Sequence, residues 1–247
     1  MQNIVKKRNS VEFEVHGKYA LFSDPITRVG GEKSSYQIPT YQALKGVLES
    51  VYWKPTFIWV IDAVRIINKI QTEGKGIRPI KMNKIYDEEG SNDLAYYTYL
   101  KEVKCQVLAH FIWNENRPEL QNDRNENKHH NMAKRSIEKG GRRDIFLGTR
   151  ECQAYVEPCE FGKGSGFYDD YGSLGFGFML HGIDYPDETN SDFGVRFWNC
   201  EMNDGIIIFP PPGDAGIKRR IIREEQKIKE FELDVNLRAV AEEEGEA

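Results

Sequence analysis

The sequence has no run of about eighteen apolar residues, so it contains no candidate for a membrane-spanning helix. No signal peptide is recognisable either, because polar residues follow Met1 to Arg8 where the apolar stretch of a signal peptide would have to lie. We therefore expect a cytoplasmic protein that has no membrane partner.

Cysteine is scarce, and no two cysteines form a CxxC pair. The four cysteines are scattered along the chain at Cys105, Cys152, Cys159 and Cys200. This spacing suits neither a disulfide framework nor a zinc ribbon. We expect these residues to be free thiols packed in the core.

The common fingerprints of nucleotide and metal binding are also absent. The glycine-rich segment from Gly162 to Gly166 lacks the spacing of a P-loop, and no dinucleotide-binding motif occurs. His129 and His130 are weak metal-ligand candidates, because adjacent helical residues point about 100° apart and no HExxH or carboxylate frame accompanies them. We expect neither nucleotide hydrolysis nor a bound metal or other cofactor.

The composition predicts a folded protein whose charge is unevenly distributed. Hydrophobic residues make up 39% of the 247 positions, which is enough to fill a core, and the net charge is −5. The segment from Glu224 to Ala247 alone carries −6, while 117–150 is basic and Lys218 to Arg223 forms a second basic run. This pattern fits either an RNA-facing patch with a solvated acidic tail or an ordinary charged surface.

Hydrophobic periodicity predicts the first half of the fold. Val11 to Phe22 alternates as a strand with one buried face, and Thr40 can cap a helix that stops at Lys54-Pro55. Phe57 to Ile67 is β-branched and aromatic, which predicts a central strand. A polar insertion, 71–93, separates it from the next strand region.

The second half continues the same alternation of elements. Residues 96–113 predict one strand or a strand pair, and a helix that Asn125 or Asn127 can cap ends at Gly140-Gly141. Ile145 to Phe161 predicts a further strand region. The order β-α-β-β-α-β predicts an α+β fold of the ferredoxin-like, or RRM-like, kind. We expect it in residues 1–162, followed by a small antiparallel β domain in 163–223 and an acidic tail in 224–247.

The segment from Asp123 to His130 carries the chemistry that the sequence makes most visible. It places Lys128, His129 and His130 at a predicted helix start, where free backbone N–H groups and the helix dipole attract phosphate. A lysine can neutralise a developing negative charge, and a histidine can move a proton near neutral pH. The alternative is a solvated, charged first turn of a helix.

Two further features can contribute to such a site. Arg142 and Arg143 follow the second helix on a glycine turn, where their forked donors could hold an RNA backbone, although a simple helix cap is the alternative. Tyr52 shares its helical face with Leu44 and Leu48, so its spacing by itself indicates a core aromatic.

Several unusual strings in this sequence resemble the Cas five family of type I-C CRISPR systems, the d subtype. The resemblance runs from about Val11 to Pro211. It rests on Tyr36, Pro39-Thr40-Tyr41-Gln42-Ala43-Leu44-Lys45-Gly46, Tyr52-Trp53-Lys54-Pro55, Asp123-Arg124-Asn125-Glu126, Lys128-His129, the stretch Gly140 to Gly148, Arg150-Glu151-Cys152-Gln153 and Tyr185-Pro186-Asp187-Glu188-Thr189.

The resemblance implies a function that spacing alone does not show. Members of this family cut the CRISPR repeat hairpin at the base of its stem without a metal, leaving a 2′,3′-cyclic phosphate and a 5′-hydroxyl. Matching strings carry the catalytic roles to Tyr52, Lys128 and His129. Tyr52 and His129 would share the acid and base roles, with His129 favoured for proton transfer and the choice of base left open, and Lys128 would stabilise charge. The expected RNA-binding residues are Arg124, His130, Arg142 and Arg143.

Two alternatives to an enzyme follow from the same residues. Related Cas five proteins hold the 5′ end of the guide RNA without cutting it, so this chain could be a binding subunit of the interference complex beside its backbone and large subunits. A generic RRM-like RNA binder is a second alternative, although the aromatic RNP string that it needs is absent.

Overall fold

The computed structural model describes residues 6–25, 27, 32–79, 94–186 and 192–225. The end of the polar insertion and the acidic tail beyond Glu225 lie outside these residues. None of the helices in the described ranges is long and apolar enough to cross a membrane.

The described residues form two α-helices and eleven strands, which confirms the predicted α+β class. Their bounds are β1 (Val11–Ala20), β2 (Lys33–Ser34), α1 (Tyr41–Val51), β3 (Phe57–Ile66), β4 (Thr72–Ile77), β5 (Ala95–Trp113), α2 (Glu126–Glu138), β6 (Ile145–Phe146), β7 (Gln153–Pro158), β8 (Ser173–Asp184), β9 (Phe193–Asn203), β10 (Ile206–Ile208) and β11 (Lys218–Arg223). A short 3-10 helix (Pro118–Asp123) precedes α2.

The centre of the molecule is an antiparallel sheet in the order β3-β5-β1-β7. Its elements follow one another as β1, α1, β3, β5, α2 and β7, which is the predicted β-α-β-β-α-β order. Both helices bury an apolar stripe against the sheet, through Leu44 and Leu48 in α1 and through Ala133 and Ile137 in α2. The ferredoxin-like description stays an interpretation of these six elements, because further strands extend the same sheet.

The region predicted as one strand or a strand pair is a single strand, β5, of 19 residues. Glu102 has φ +48 within it, and this irregularity lies where the sequence pattern is interrupted by charge. Residues 105–113 of β5 pair with β3, residues 100–109 pair with β1, and residues 95–100 pair with β4, which lies in the predicted polar insertion. Through β4 the sheet therefore extends beyond the four central strands at the N-terminal end of β5.

Strands β8, β9 and β11 form a second antiparallel region, and β10 hydrogen-bonds to β3. Alternate residues of β9, such as Arg196 and Trp198, point inward and are buried. His181 of β8 stacks on Tyr41 of α1 with ring centroids 4.3 Å apart, which packs this region against the first helix. The predicted domain boundary near residue 163 stays a prediction.

The glycine-rich segment that lacks P-loop spacing lies against the sheet face opposite the helices. Arg65 of β3 donates hydrogen bonds to the carboxylate of Asp169 and to the carbonyl oxygens of Lys163 and Gly164. Gln106 of β5 donates to the same Lys163 carbonyl. These contacts hold residues 161–169, which we call the strap, across that face.

The four cysteines are free, as predicted. Cys105, Cys152 and Cys200 are buried, and Cys159 is partly exposed.

Candidate active site

Tyr52 is the residue that ends α1. The helix begins at the predicted cap, since the hydroxyl of Thr40 accepts a hydrogen bond from the Ala43 N–H at 3.1 Å. At the other end Tyr52 is already extended, and the Trp59 indole donates to its carbonyl at 2.7 Å. Tyr52 is only 1% exposed, which confirms that it is a buried aromatic residue.

Helix α2 brings the histidine segment to this tyrosine. Asn125, rather than Asn127, is the N-cap, and its side chain accepts from the Lys128 N–H at 3.0 Å. The helix ends at Gly140 and Gly141, which adopt φ of +79 and +105. Lys128 and His129 therefore lie in the first turn of the helix, as the sequence predicts.

The side chains of Tyr52 and His129 are directly hydrogen-bonded. The Tyr52 hydroxyl lies 2.8 Å from His129 Nδ1, and His129 Nε2 lies 2.8 Å from the backbone oxygen of Asp123. A carbonyl oxygen only accepts, so Nε2 carries a proton and donates it to this oxygen. In the neutral imidazole Nδ1 then has a free lone pair, and Tyr52 donates to it.

His129 is completely enclosed in the core. Its exposed fraction is 0%, and the rings of Phe57 and Trp113 lie with centroids 5.2 and 6.0 Å from its own. Both nitrogens have partners within this enclosure. The imidazole therefore has no contact with solvent, and a proton can reach it only through the groups to which it is hydrogen-bonded.

Asp123 joins the lysine to the histidine, although the sequence reasoning assigned it no role. Its carboxylate accepts from Lys128 Nζ at 2.6 Å and from the Thr56 hydroxyl at 2.6 Å, and Oδ2 lies 3.3 Å from His129 Nε2. The hydrogen bond from Lys128, followed by that from Thr56, lowers the Asp123 pKa to about 2. A carboxylate two residues before a helix cap, with a lysine in the first turn, is the signal that could have identified it.

Arg142 lies over the other side of the tyrosine ring. Its guanidinium carbon is 4.5 Å from the Tyr52 ring centroid, and its Nε donates to the Ser136 hydroxyl at 3.3 Å. Burial raises the pKa of Tyr52, the Arg142 charge lowers it, and the Asp123 charge adds to the rise. Because the net shift is upward, the phenol is protonated at neutral pH.

A cleft of about 350 Å³ opens beside this tyrosine. The Tyr52 hydroxyl lies 3.5 Å from the Met132 sulfur, and both Met132 and Arg142 line the cleft. Tyr52 is itself buried and contacts the cleft through these two residues, and the cationic lining suits a phosphate backbone. Its lining residues are Met132, Arg135, Ser136, Lys139, Gly141 and Arg142.

The remaining candidate residues lie in different surroundings. Arg143 is exposed on the turn after α2. Arg124 donates to the carboxylate of Glu115 at 3.0 and 3.1 Å, and His130 Nε2 lies 2.9 Å from the backbone oxygen of Ser10. The structure thus brings Tyr52, Lys128, His129 and Arg142 together, whereas Arg124 and His130 are engaged elsewhere.

No group of three His, Cys, Asp or Glu side chains that could hold a metal ion occurs within the described ranges.

Comparison with known proteins gives a consistent result. A family model of CRISPR-associated proteins, Cas5d, matches residues 10–210. The curated CRISPR pre-crRNA endoribonuclease Cas5d of Mannheimia succiniciproducens is 27% identical over 244 residues, which cover 85% of this chain and 99% of the relative.

Two solved structures share the fold over 87% of this chain. One, described as a CRISPR-associated protein, is 33% identical, with a TM-score of 0.70 and 99% of its own chain covered. The other is a functionally uncharacterized protein from Streptococcus mutans, which is 38% identical, with a TM-score of 0.69 and its full chain covered.

Proposed function

The chain belongs to the Cas5d family of CRISPR-associated proteins, and from this premise we propose that it is an endoribonuclease that cuts precursor CRISPR RNA. The cut falls at the base of the repeat hairpin and needs no metal. The protein then stays on the guide RNA in the cytoplasm as a subunit of the type I-C interference complex. The name and near-complete coverage of the Mannheimia relative support the reaction.

One observation carries this proposal: the hydrogen bond from Tyr52 to His129 beside a basic cleft. Cleavage requires the ribose 2′-hydroxyl to lose its proton and attack the adjacent phosphorus. The bond from phosphorus to the 5′-oxygen then breaks, and that oxygen takes up a proton from solvent water, which later recovers the proton removed from the 2′-hydroxyl. A protonated phenol hydrogen-bonded to an imidazole lone pair is an arrangement that can accept and pass on such a proton.

Because His129 is buried, Tyr52 and His129 have different roles in proton transfer. Because the imidazole is 0% exposed, it exchanges protons with RNA through Tyr52, which adjoins the cleft. The phenol oxygen takes the proton of the 2′-hydroxyl as its own proton moves to Nδ1. The bond from Nε2–H to the Asp123 carbonyl keeps Nδ1 ready to receive it. Tyr52 is thus the group that contacts the substrate, and His129 acts behind it.

Lys128 supplies positive charge at the same helix start. Its side chain is 51% exposed and is held by the Asp123 carboxylate. A phosphate in the cleft mouth competes with Asp123 for this ammonium, and the extra negative charge of the transition state strengthens the attraction. We assign Lys128 to charge stabilisation and Asp123 to positioning both Lys128 and His129.

The cleft and the turn after α2 hold the RNA stem in this proposal. Arg135, Lys139 and Arg142 line the cleft, and Arg143 is exposed next to them. Cationic side chains at this spacing read the phosphate backbone and shape of a stem rather than its sequence. Arg124 and His130 support the loop and the first turn of α2 through their protein contacts.

The surface that an RRM uses for RNA is unsuited to it in this protein. That surface is the sheet face opposite the helices, and here it presents Glu12, Glu14 and Gln106 on its two central strands. The strap also lies on it, since the Phe161 N–H donates to Glu12 and the Gly162 N–H donates to Gln106. A face that the strap covers, and whose two glutamates are paired with Lys6 and Lys104, disfavours the generic RRM-like alternative.

The test is incubation of the purified protein, in EDTA, with its own repeat RNA and with the same RNA carrying a single 2′-deoxy substitution just upstream of the cut. We expect the first RNA to be cut and the second to be bound and left intact. If neither is cut although both bind tightly, the chain is a non-catalytic guide-binding subunit. A requirement for a divalent metal would contradict the mechanism.

A further inference from the structure

The β8, β9 and β11 strands expose a face that the cleavage reaction does not use. Because Arg196 and Trp198 of β9 point inward, its odd-numbered neighbours point outward. Lys218 of β11 lies opposite Phe197, and Arg220 lies opposite Val195. We call this surface the outer face and define it by Phe178, Phe193, Val195, Phe197, Lys218, Arg220 and Arg223.

Two aromatic rings stack in the open on this face. Phe178 is 53% exposed, and its ring stacks on that of Phe197 with centroids 5.2 Å apart and planes 20° from parallel. Lys218 Nζ lies 5.7 Å from the Phe178 centroid. Two stacked rings form a larger aromatic surface than one exposed side chain does, and here a cation lies beside them.

The outer face carries three cationic side chains, Lys218, Arg220 and Arg223. Among the described residues, no carboxylate forms an ion pair with Arg220 or Arg223. Arg219, which points to the other face of β11, contrasts with them, because its Nε lies 3.4 Å from Asp184. At one end of this face Asp192 precedes Phe193, and Glu224 and Glu225 follow Arg223. Glu201 lies at the other end of β9, where it accepts a hydrogen bond from Ser173.

We propose that the outer face binds a single-stranded segment of RNA, with bases stacked on Phe178 and Phe197 and phosphates at Lys218, Arg220 and Arg223. Stackable aromatic rings combined with cations along one edge are the two components of a single-strand platform. The RNA would be the unpaired part of the substrate next to the hairpin, so this assignment rests on the proposed function.

The chemistry of the face favours unpaired RNA over a stem and over a protein. A double-stranded stem keeps the faces of its bases stacked inside the helix, where Phe178 could not reach them. A protein partner recognised by apolar contact alone would leave the three cations without complementary charge. A flexible strand supplies both one phosphate and one base face per nucleotide.

The test measures binding of a short labelled oligouridine, which has no hairpin, to the full chain by fluorescence anisotropy at several salt concentrations. Phe178→Ser is expected to weaken binding about tenfold and to leave the salt dependence unchanged. Arg220→Gln is expected to weaken binding and also to reduce the slope of log affinity against log salt by about 0.7, the value for one lost phosphate contact on a single strand.

Two controls alter the same kinds of side chain elsewhere. Tyr155→Ser removes an aromatic ring that is 58% exposed on β7, and Lys163→Gln removes a charge that is 71% exposed on the strap. Both should bind oligouridine as the unaltered protein does. All four positions are exposed, so thermal unfolding should show that each variant is folded.

The inference is overturned if Phe178→Ser and Arg220→Gln bind oligouridine like the two controls, a result that would assign the outer face to a protein partner. It is also overturned if the unaltered protein shows no binding to oligouridine. Cleavage of the repeat hairpin by the unaltered protein is a separate readout, so loss of the proposed enzyme function and loss of this surface are distinguishable.

Discussion

The phenol of Tyr52 and the imidazole of His129 contact each other inside the core, and the geometry of that contact determines which proton moves. Nε2 donates to the Asp123 carbonyl, so the only lone pair on the ring faces the tyrosine. Burial raises the pKa of the Tyr52 phenol, which therefore keeps its proton in the free protein. Proton transfer between the two residues therefore depends on the hydrogen bond between the Tyr52 hydroxyl and His129 Nδ1.

Tyr52→Phe removes that bond and leaves the ring in place. We expect the single-turnover cleavage rate to fall by roughly 10²- to 10⁴-fold, the usual range for loss of a proton-transfer group. Affinity for the 2′-deoxy RNA should be nearly unchanged, because the ring and its contact with Arg142 stay in place. Tyr41→Phe on the same helix is the control and should cut normally. A Tyr52→Phe protein that cuts as fast as the unaltered one would remove the phenol from the mechanism.

The depressed pKa of Asp123 predicts a pH-dependent stability. The folded pKa is about 2, below the value of about 3.9 in an unfolded chain. The ionised form therefore stabilises the fold above about pH 4, and this contribution is lost as the pH falls through 2.

Asp123→Asn should consequently cost about 1 kcal/mol or less at neutral pH, as is usual for a partly exposed ion pair. Its difference from the unaltered protein in free energy of unfolding should shrink as the pH falls from 4 to 2. Urea unfolding across that range measures it, with the exposed Asp144→Asn as a control. A difference that stays constant with pH would show that Asp123 is not held as an ion pair.

At the scale of elements, the start of α2 positions the reactive groups. The cap at Asn125 sets the first turn, in which Lys128 is exposed and bound to Asp123 while His129 is buried in the core. The end of the same helix turns at Gly141, after which the Arg142 N–H bonds to the Val51 carbonyl at 3.3 Å. Both ends of one helix thus meet the C-terminal end of α1.

The two asparagines at this helix start allow a matched comparison. Asn125→Ala should lower the free energy of unfolding by about 1 kcal/mol, because the Lys128 N–H loses its acceptor, and cleavage should slow as the first turn loosens. Asn127→Ala should be close to neutral, since its side chain accepts only from the exposed Arg8 at 3.3 Å. Equal effects of the two substitutions in chemical unfolding would contradict the assigned cap.

At the scale of the whole molecule, opposite faces of the sheet serve different purposes. The helix side carries the candidate active site, and the opposite side carries acidic residues under the strap. We propose that residues 1–162 form the catalytic unit and 163–223 a second β unit, although β10 joins the two by pairing with β3. The acidic tail adds negative charge beyond both.

One buried ion pair contributes to the attachment of the strap, beside its hydrogen bonds to Glu12 and Gln106. Arg65 is 5% exposed and lies 2.7 Å from Asp169, so Asp169→Asn removes the charge that compensates a buried guanidinium. We expect a loss of about 2 kcal/mol in free energy of unfolding. Asp170→Asn is the control, because Asp170 is exposed at φ +60, a conformation that asparagine tolerates. Similar stabilities of the two variants would show that the strap is held by other contacts.

The sequence by itself determined the elements of this protein, because their signals are local. The Thr40 cap, a second cap at Asn125 or Asn127, the Gly140-Gly141 stop and the alternation in Val11–Ala20 each follow from neighbouring residues, and the structure shows that Asn125 is the second cap. The same local strings identified Tyr52, Lys128 and His129 as members of one motif set.

Only the tertiary structure decided how those residues meet. The contact from Tyr52 to His129 spans 77 positions, and no periodicity reports a contact at that separation. The structure also buried His129 completely, gave Asp123 the central place and engaged Arg124 and His130 away from the cleft. The physical reason is that side-chain partners are set by the packing of α1 and α2 on one sheet, whereas sequence patterns describe one element at a time.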